Sequence, residues 1–204
     1  YLSRNKEEFF PGNLEIKVTY VLTQNNEIKI KWYAVSDEDT IINLTHHSYF
    51  NLDGHAADIK NQELYVNAGF MLETNDDNIP TGRFVDLKNH PYQFNPQKSC
   101  PASIDNTFIL SKNPEMAASL LSIKNQLRMN VYTDTPGIHI YVGGNCFHQI
   151  EGKENTAYHH NSGICFETQN FPDAPNHEHF PSAVLKKGAI YQQQTTFKFE
   201  NTTS

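Results

Sequence analysis

Apolar and polar residues alternate with a period of two through several short stretches of this chain, the spacing of strands with one buried face. Residues 13–22 set Leu14, Ile16, Val18, Tyr20 and Leu22 against Glu15, Lys17 and Thr19, which predicts a half-buried strand. Residues 27–35 alternate again, with Ile28, Ile30, Trp32 and Ala34 on one face. Asn25 and Asn26 tolerate positive φ, so the two segments read as an antiparallel hairpin. Residues 40–50 are expected as a third strand. Further strands are expected around 63–67, in 103–110, as a hairpin of 117–123 and 125–132, within 133–145, and over 191–199. Residues 71–83 read as a polar loop clamped by Ile79-Pro80, and 85–87 and 92–94 as short extended pieces broken by prolines. No stretch carries the period of an amphipathic helix. The pattern predicts an all-β sandwich or barrel, with residues 1–204 in a single domain.

The segment 163–182, GICFETQNFPDAPNHEHFPS, organises the rest. Its start alternates, so Glu167 faces away from Phe166. Phe171-Pro172-Asp173-Ala174-Pro175 then stops the strand, because proline cannot donate to a ladder. A carboxylate just before a stiffened loop suits the rim of a cleft, although a single strand glutamate is more often a solvated surface residue. The histidine pair His46-His47 adds a proton carrier. Neighbours on a strand face opposite ways, so one of the two, unless a bulge intervenes, can enter the same cleft. Asp105 in SIDNTF and His139 in PGIHIY are the other polar candidates, and an Asp before an apolar strand is also an ordinary turn residue.

Composition narrows the chemistry. A formal charge of -7 and a pI near 5.8 argue against a nucleic-acid partner. No apolar run reaches the ~20 residues of a membrane span, and the N-terminal residues are too charged for a signal peptide. Cys100, Cys146 and Cys165 are odd in number and far apart, so they read as reduced and the protein as cytoplasmic. Ten histidines raise the question of a metal, with His177 and His179 as H-x-H and His159-His160 as a doublet. There is no H-E-x-x-H and no C-x-x-C, and no metal site is expected. Neither a nucleophile elbow nor a phosphate-cradling glycine loop occurs.

Taken together, NLTHHSYFNLDGH, NIPTGRFVDL, SIDNTF, PGIHIYVGGN and GICFETQNFPDAPNHEHFPSAVLKKGAIY resemble, in order, the aldose 1-epimerases, or galactose mutarotases. The resemblance runs from about residue 10 to 199. It implies a large antiparallel β-sandwich and an isomerase that interconverts the α and β anomers of free hexoses such as galactose and glucose. It also implies Glu167 and His47 as catalytic base and acid, and Asp105, His139 and His46 as substrate-binding positions. Ring opening and reclosure need one base and one acid across one hemiacetal, and no cofactor; the expected partner is a small aldohexose. His46 stands where the family commonly has Asn, and His139 where a glutamine often contacts the sugar. The family's upstream strands, with a His-Gly-Gly motif and an arginine that grip the sugar, have no counterpart here, and the chain opens on Tyr1. The expectation is a C-terminal majority of the domain, a poor mutarotase by itself with an unfinished sheet edge. The alternative is a non-catalytic, carbohydrate-binding or regulatory β-sandwich of the same fold.

Overall fold

The computed structural model describes residues 1–111, 115–143 and 151–203. In chain order the strands are β1 (Leu2–Ser3), β2 (Leu14–Leu22), β3 (Glu27–Ser36), β4 (Thr40–Ile41), β5 (Tyr49–Phe50), β6 (Glu63–Val66), β7 (Ala68–Thr74), β8 (Pro80–Asp86), β9 (Lys98–Ser99), β10 (Ile104–Leu110), β11 (Ala118–Ser122), β12 (Leu127–Thr133), β13 (Gly137–Val142), β14 (Ile164–Gln169), β15 (Val184–Leu185) and β16 (Ile190–Asn201). They form an eight-stranded sheet in the order β1-β2-β3-β16-β12-β11-β6-β9, a six-stranded sheet β5-β14-β13-β10-β7-β8, and a ribbon β15-β4. All pairings are antiparallel. Helical structure among the described residues is confined to three-residue 3-10 turns, and none of their helices is long and apolar enough to cross a membrane.

The core lies between the two large sheets. Ile30, Trp32, Leu64, Val66, Leu120, Met129, Val131 and Phe197 come from the first sheet. Ile104, Phe108, Ile138, Ile140, Ile164 and Phe166 come from the second. Each such side chain contributes about 1.5–3 kcal/mol when fully buried. The alternation that sends Ile138, Ile140 and Phe166 inward sends His139, Tyr141, Cys165 and Glu167 to the outer face of the second sheet.

Three expectations are corrected. Residues 42–48 are not a strand; only Thr40–Ile41 and Tyr49–Phe50 pair. Residues 71–83 are not one loop but most of the β7–β8 hairpin, with Asn78 at φ 61° in its turn. This hairpin ends the second sheet, and Glu73 ties it together through Thr81 and Arg83. Finally, β2 is half-buried only at its start. Val18, Tyr20 and Leu22 are exposed, and β1 pairs only with Leu14 and Glu15.

Candidate active site

The outer face of the second sheet carries two rows of side chains set by register. One row, strand to strand, is Tyr49, Cys165, Tyr141 and Asp105; the next is Glu167, His139 and Thr107. Asp105 thus sits within β10 rather than in a turn. His47 reaches these rows from the irregular segment before β5. Side chains pin that segment to the end of β14. Thr45 Oγ1 donates to the Thr168 carbonyl at 3.1 Å. The Asn43 amide donates to the Asn170 carbonyl at 3.1 Å and accepts from its N–H at 2.9 Å.

His47 Nε2 lies 3.2 Å from Glu167 Oε1, and its Nδ1 lies 3.4 Å from Cys165 Sγ. The Glu167 side chain is 10% exposed and that of His47 52%, so a buried carboxylate meets an imidazole open to the surface. Tyr49 and Tyr141 flank the imidazole, with ring centroids 5.3 and 5.9 Å from it. Beside Glu167, His139 Nε2 is 2.8 Å from Asp105 Oδ1, and its Nδ1 is 2.9 Å from Thr107 Oγ1. Burial pushes the Glu167 carboxyl above the usual carboxylate range; His139 and His47 oppose that shift and Asp105 adds to it. Asp105 is held low, first by its hydrogen bond from His139.

The structure thus brings His47, Glu167, Asp105 and His139 together. It does not bring His46 to them. The His46 ring lies against Tyr20, Phe50 and Phe197, its Nε2 meets Ser48 Oγ at 2.9 Å, and burial pushes its pKa down. Consecutive residues diverge here as they would on a strand, although no ladder enforces it. Thr107, Tyr141 and Cys165 were not singled out from the sequence. The signal was there in the period of two, since they stand two residues from Asp105, His139 and Glu167.

His47, Cys165 and Glu167 bring one donor atom each within 4.8 Å of one another. The two imidazole nitrogens face different partners, so the group reads as a hydrogen-bonded set rather than ligands converging on one ion. His177 and His179 do not converge either: their Nε2 atoms turn to the Pro80 and Gly82 carbonyls, at 3.2 and 2.7 Å. Those contacts help seat the 171–180 loop on the β7–β8 end of the same face, where Leu72, Phe171, Ala174, Phe180 and Ala183 form a small core. Cys100 and Cys165 are buried thiols, and Cys146 lies outside the described residues.

A family model described as aldose 1-epimerase matches residues 1–198. Galactose mutarotase from Homo sapiens is 34% identical over 97% of this chain and 61% of its own length. Aldose 1-epimerase from Haemophilus influenzae is 32% identical over 95% of this chain and 62% of its own. Among solved structures, an aldose epimerase homologue from C. elegans superposes with a TM-score of 0.91 at 26% identity, covering 98% of this chain and 64% of that one. Galactose 1-epimerase from Lactobacillus acidophilus gives 0.85 at 25%, over 98% and 61%. The chain therefore spans about three fifths of the length of the relatives it matches.

Proposed function

Because this chain belongs to the aldose 1-epimerase family, we propose that it interconverts the α and β anomers of a free aldohexose, galactose or glucose, by acid/base opening and reclosure of the pyranose ring. The observation that carries the reading is the 3.2 Å contact between His47 Nε2 and Glu167 Oε1 beside the aromatic rings of Tyr49 and Tyr141. A sugar lying on this face exposes O1 and O5 of one hemiacetal to the two groups. Glu167, as carboxylate, takes the O1 proton while His47, as imidazolium, gives one to O5; the C1–O5 bond breaks and C1 becomes an aldehyde. Rotation about C1–C2 turns the other aldehyde face to O5. Reclosure runs the same transfers backwards, so both groups regain their starting protonation and no proton is owed to solvent. Each positioned group contributes ~10²–10⁴ in rate. Asp105 accepts hydrogen bonds from sugar hydroxyls, and tyrosine rings suit the C–H face of a pyranose. Buried thiols accord with a cytosolic setting.

The test is polarimetry on freshly dissolved α-D-galactose and α-D-glucose. Optical rotation is expected to reach equilibrium faster than the spontaneous reaction, in proportion to protein. Sugar binding by calorimetry with no acceleration would refute catalysis and leave the alternative, a non-catalytic sugar-binding sandwich.

A further inference from the structure

His139 makes two short side-chain contacts on the candidate site's face. Thr107 Oγ1 lies 2.9 Å from Nδ1 and Asp105 Oδ1 lies 2.8 Å from Nε2. Both ring nitrogens are therefore engaged and the ring plane is fixed. Thr107 is 4% exposed, and β10–β13 register sets it directly opposite His139. On its other side His139 is directly opposite Glu167 in the β13–β14 register, where side chains on one face have Cβ atoms ~4.5–5.5 Å apart. The charged or titratable groups on the same face are Asp105 from β10, Tyr141 from its own strand, Glu167 and Cys165 from β14 and, beyond Glu167, His47 from the segment before β5. The far face of its own strand is apolar, with Ile138 and Ile140 in the core.

We infer that His139 is a positioning residue for the proposed reaction: clamped by Thr107 and Asp105, its ring is held opposite Glu167, where a proton on the imidazole favours the basic form of that buried carboxylate. The inference rests on the anomer-interconversion reading for its kinetic consequence but not for its physical one. Burial disfavours the Glu167 anion, and a protonated His139 offsets that burden more than any other neighbour does. Asp105 plays two parts. It anchors the ring, and it stands close enough to act on the sugar, so the sugar-binding carboxylate and the base share one intermediary. Glutamine at this position would keep a hydrogen bond to Asp105 but could not take up a proton.

The experiment compares the parent chain with His139→Gln and Thr107→Val in two readouts. The first is the pH profile of kcat/KM for α-D-galactose. Its acid limb, where Glu167 takes up a proton, is expected to move to higher pH by about one unit in His139→Gln. That is the low end of what an opposite charge within ~4–6 Å does to a carboxylate, because Asp105 cancels part of it. Thr107→Val, which frees one ring nitrogen, should move the limb in the same direction by less, and it carries the test if His139→Gln does not fold. The second readout is the Glu167 side-chain carboxyl titration followed by 13C NMR, which needs no turnover. An upward shift there in the variants supports the inference even if the parent proves inactive, in which case the functional proposal alone falls. An unmoved Glu167 titration in a folded His139→Gln overturns it, as does a loss of activity equal at every pH.

Discussion

Replacing Glu167 by glutamine asks most of the proposed chemistry. Gln keeps the length and an acceptor oxygen but cannot take the O1 proton. The carboxylate is nearly buried and 3.2 Å from the imidazole that must act in the same step. Loss of one positioned general base lowers turnover by ~10²–10⁴, which is about 2.7–5.5 kcal/mol of transition-state stabilisation. KM should change only a few-fold, since Asp105, Tyr49 and Tyr141 remain. His47→Asn should fall in the same range. The double variant should be scarcely worse than the poorer single one, because the two residues form one relay and residues acting as a unit are not additive. Folding provides the internal control. Burial raises the Glu167 pKa in the folded chain, so the fold binds this proton more tightly than the unfolded chain does. The group's cost is absent at pH below its unfolded value and complete above its raised folded value. Above that raised value it is ionised and costs stability, so there Glu167→Gln should melt no lower than the parent. The assay is polarimetry at matched folded concentration, checked by circular dichroism. A folded Glu167→Gln within a few-fold of the parent would remove Glu167 as the base.

Three further outcomes are expected. The acid limb of the parent's pH–rate profile should lie above the ~4.3 of an ordinary glutamate, because burial outweighs the nearby histidines; a limb at or below that value would contradict the site electrostatics. His46→Asn should leave turnover within a few-fold yet lower the melting temperature, by about 1–2 kcal/mol of stability, since its ring packs on Phe50 and Phe197 away from Glu167; a loss matching His47→Asn would mean that the roles of the two histidines are misassigned. Phe166→Ala should cost ~3–5 kcal/mol in denaturant titration, as a fully buried ring in the inter-sheet core; a cost under ~1 kcal/mol would mean the core closes without it.

Most strands were legible because they are central and alternate. In β3, Ile30, Trp32 and Ala34 face in while Lys31 and Tyr33 face out, and β13 and β14 likewise sort His139 and Glu167 from Ile138 and Phe166. Misreadings came where tertiary context supplies what local pattern lacks. The 40–50 segment looked like a strand because its residues suit one, yet Thr45 spends its hydrogen bond on β14 and Asn43 on Asn170 just beyond it, both from outside any ladder. The β7–β8 hairpin looked like a loop because an edge strand needs no apolar face. The site's residue types could be named from the motifs. Their assembly could not: that Thr107 and Asp105 would grip one imidazole depends on register across three strands, which no single stretch of sequence encodes.

The exposed half of β2 is a place where a further strand can add. From Lys17 to Leu22 the described residues offer no neighbouring strand on its outer side, while Val18, Tyr20 and Leu22 present an apolar row beside that open ladder. An extended chain approaching there finds backbone donors and acceptors in register and a greasy track for every second side chain, the conditions for strand addition. Lys17 and Lys29 put charge on the opposite face and so do little to deter it. A strand added there would pair at the far margin of the eight-stranded sheet, on β2 rather than on the strands that carry Glu167, His139 and Asp105, and a charge set into the row at Tyr20 would oppose it.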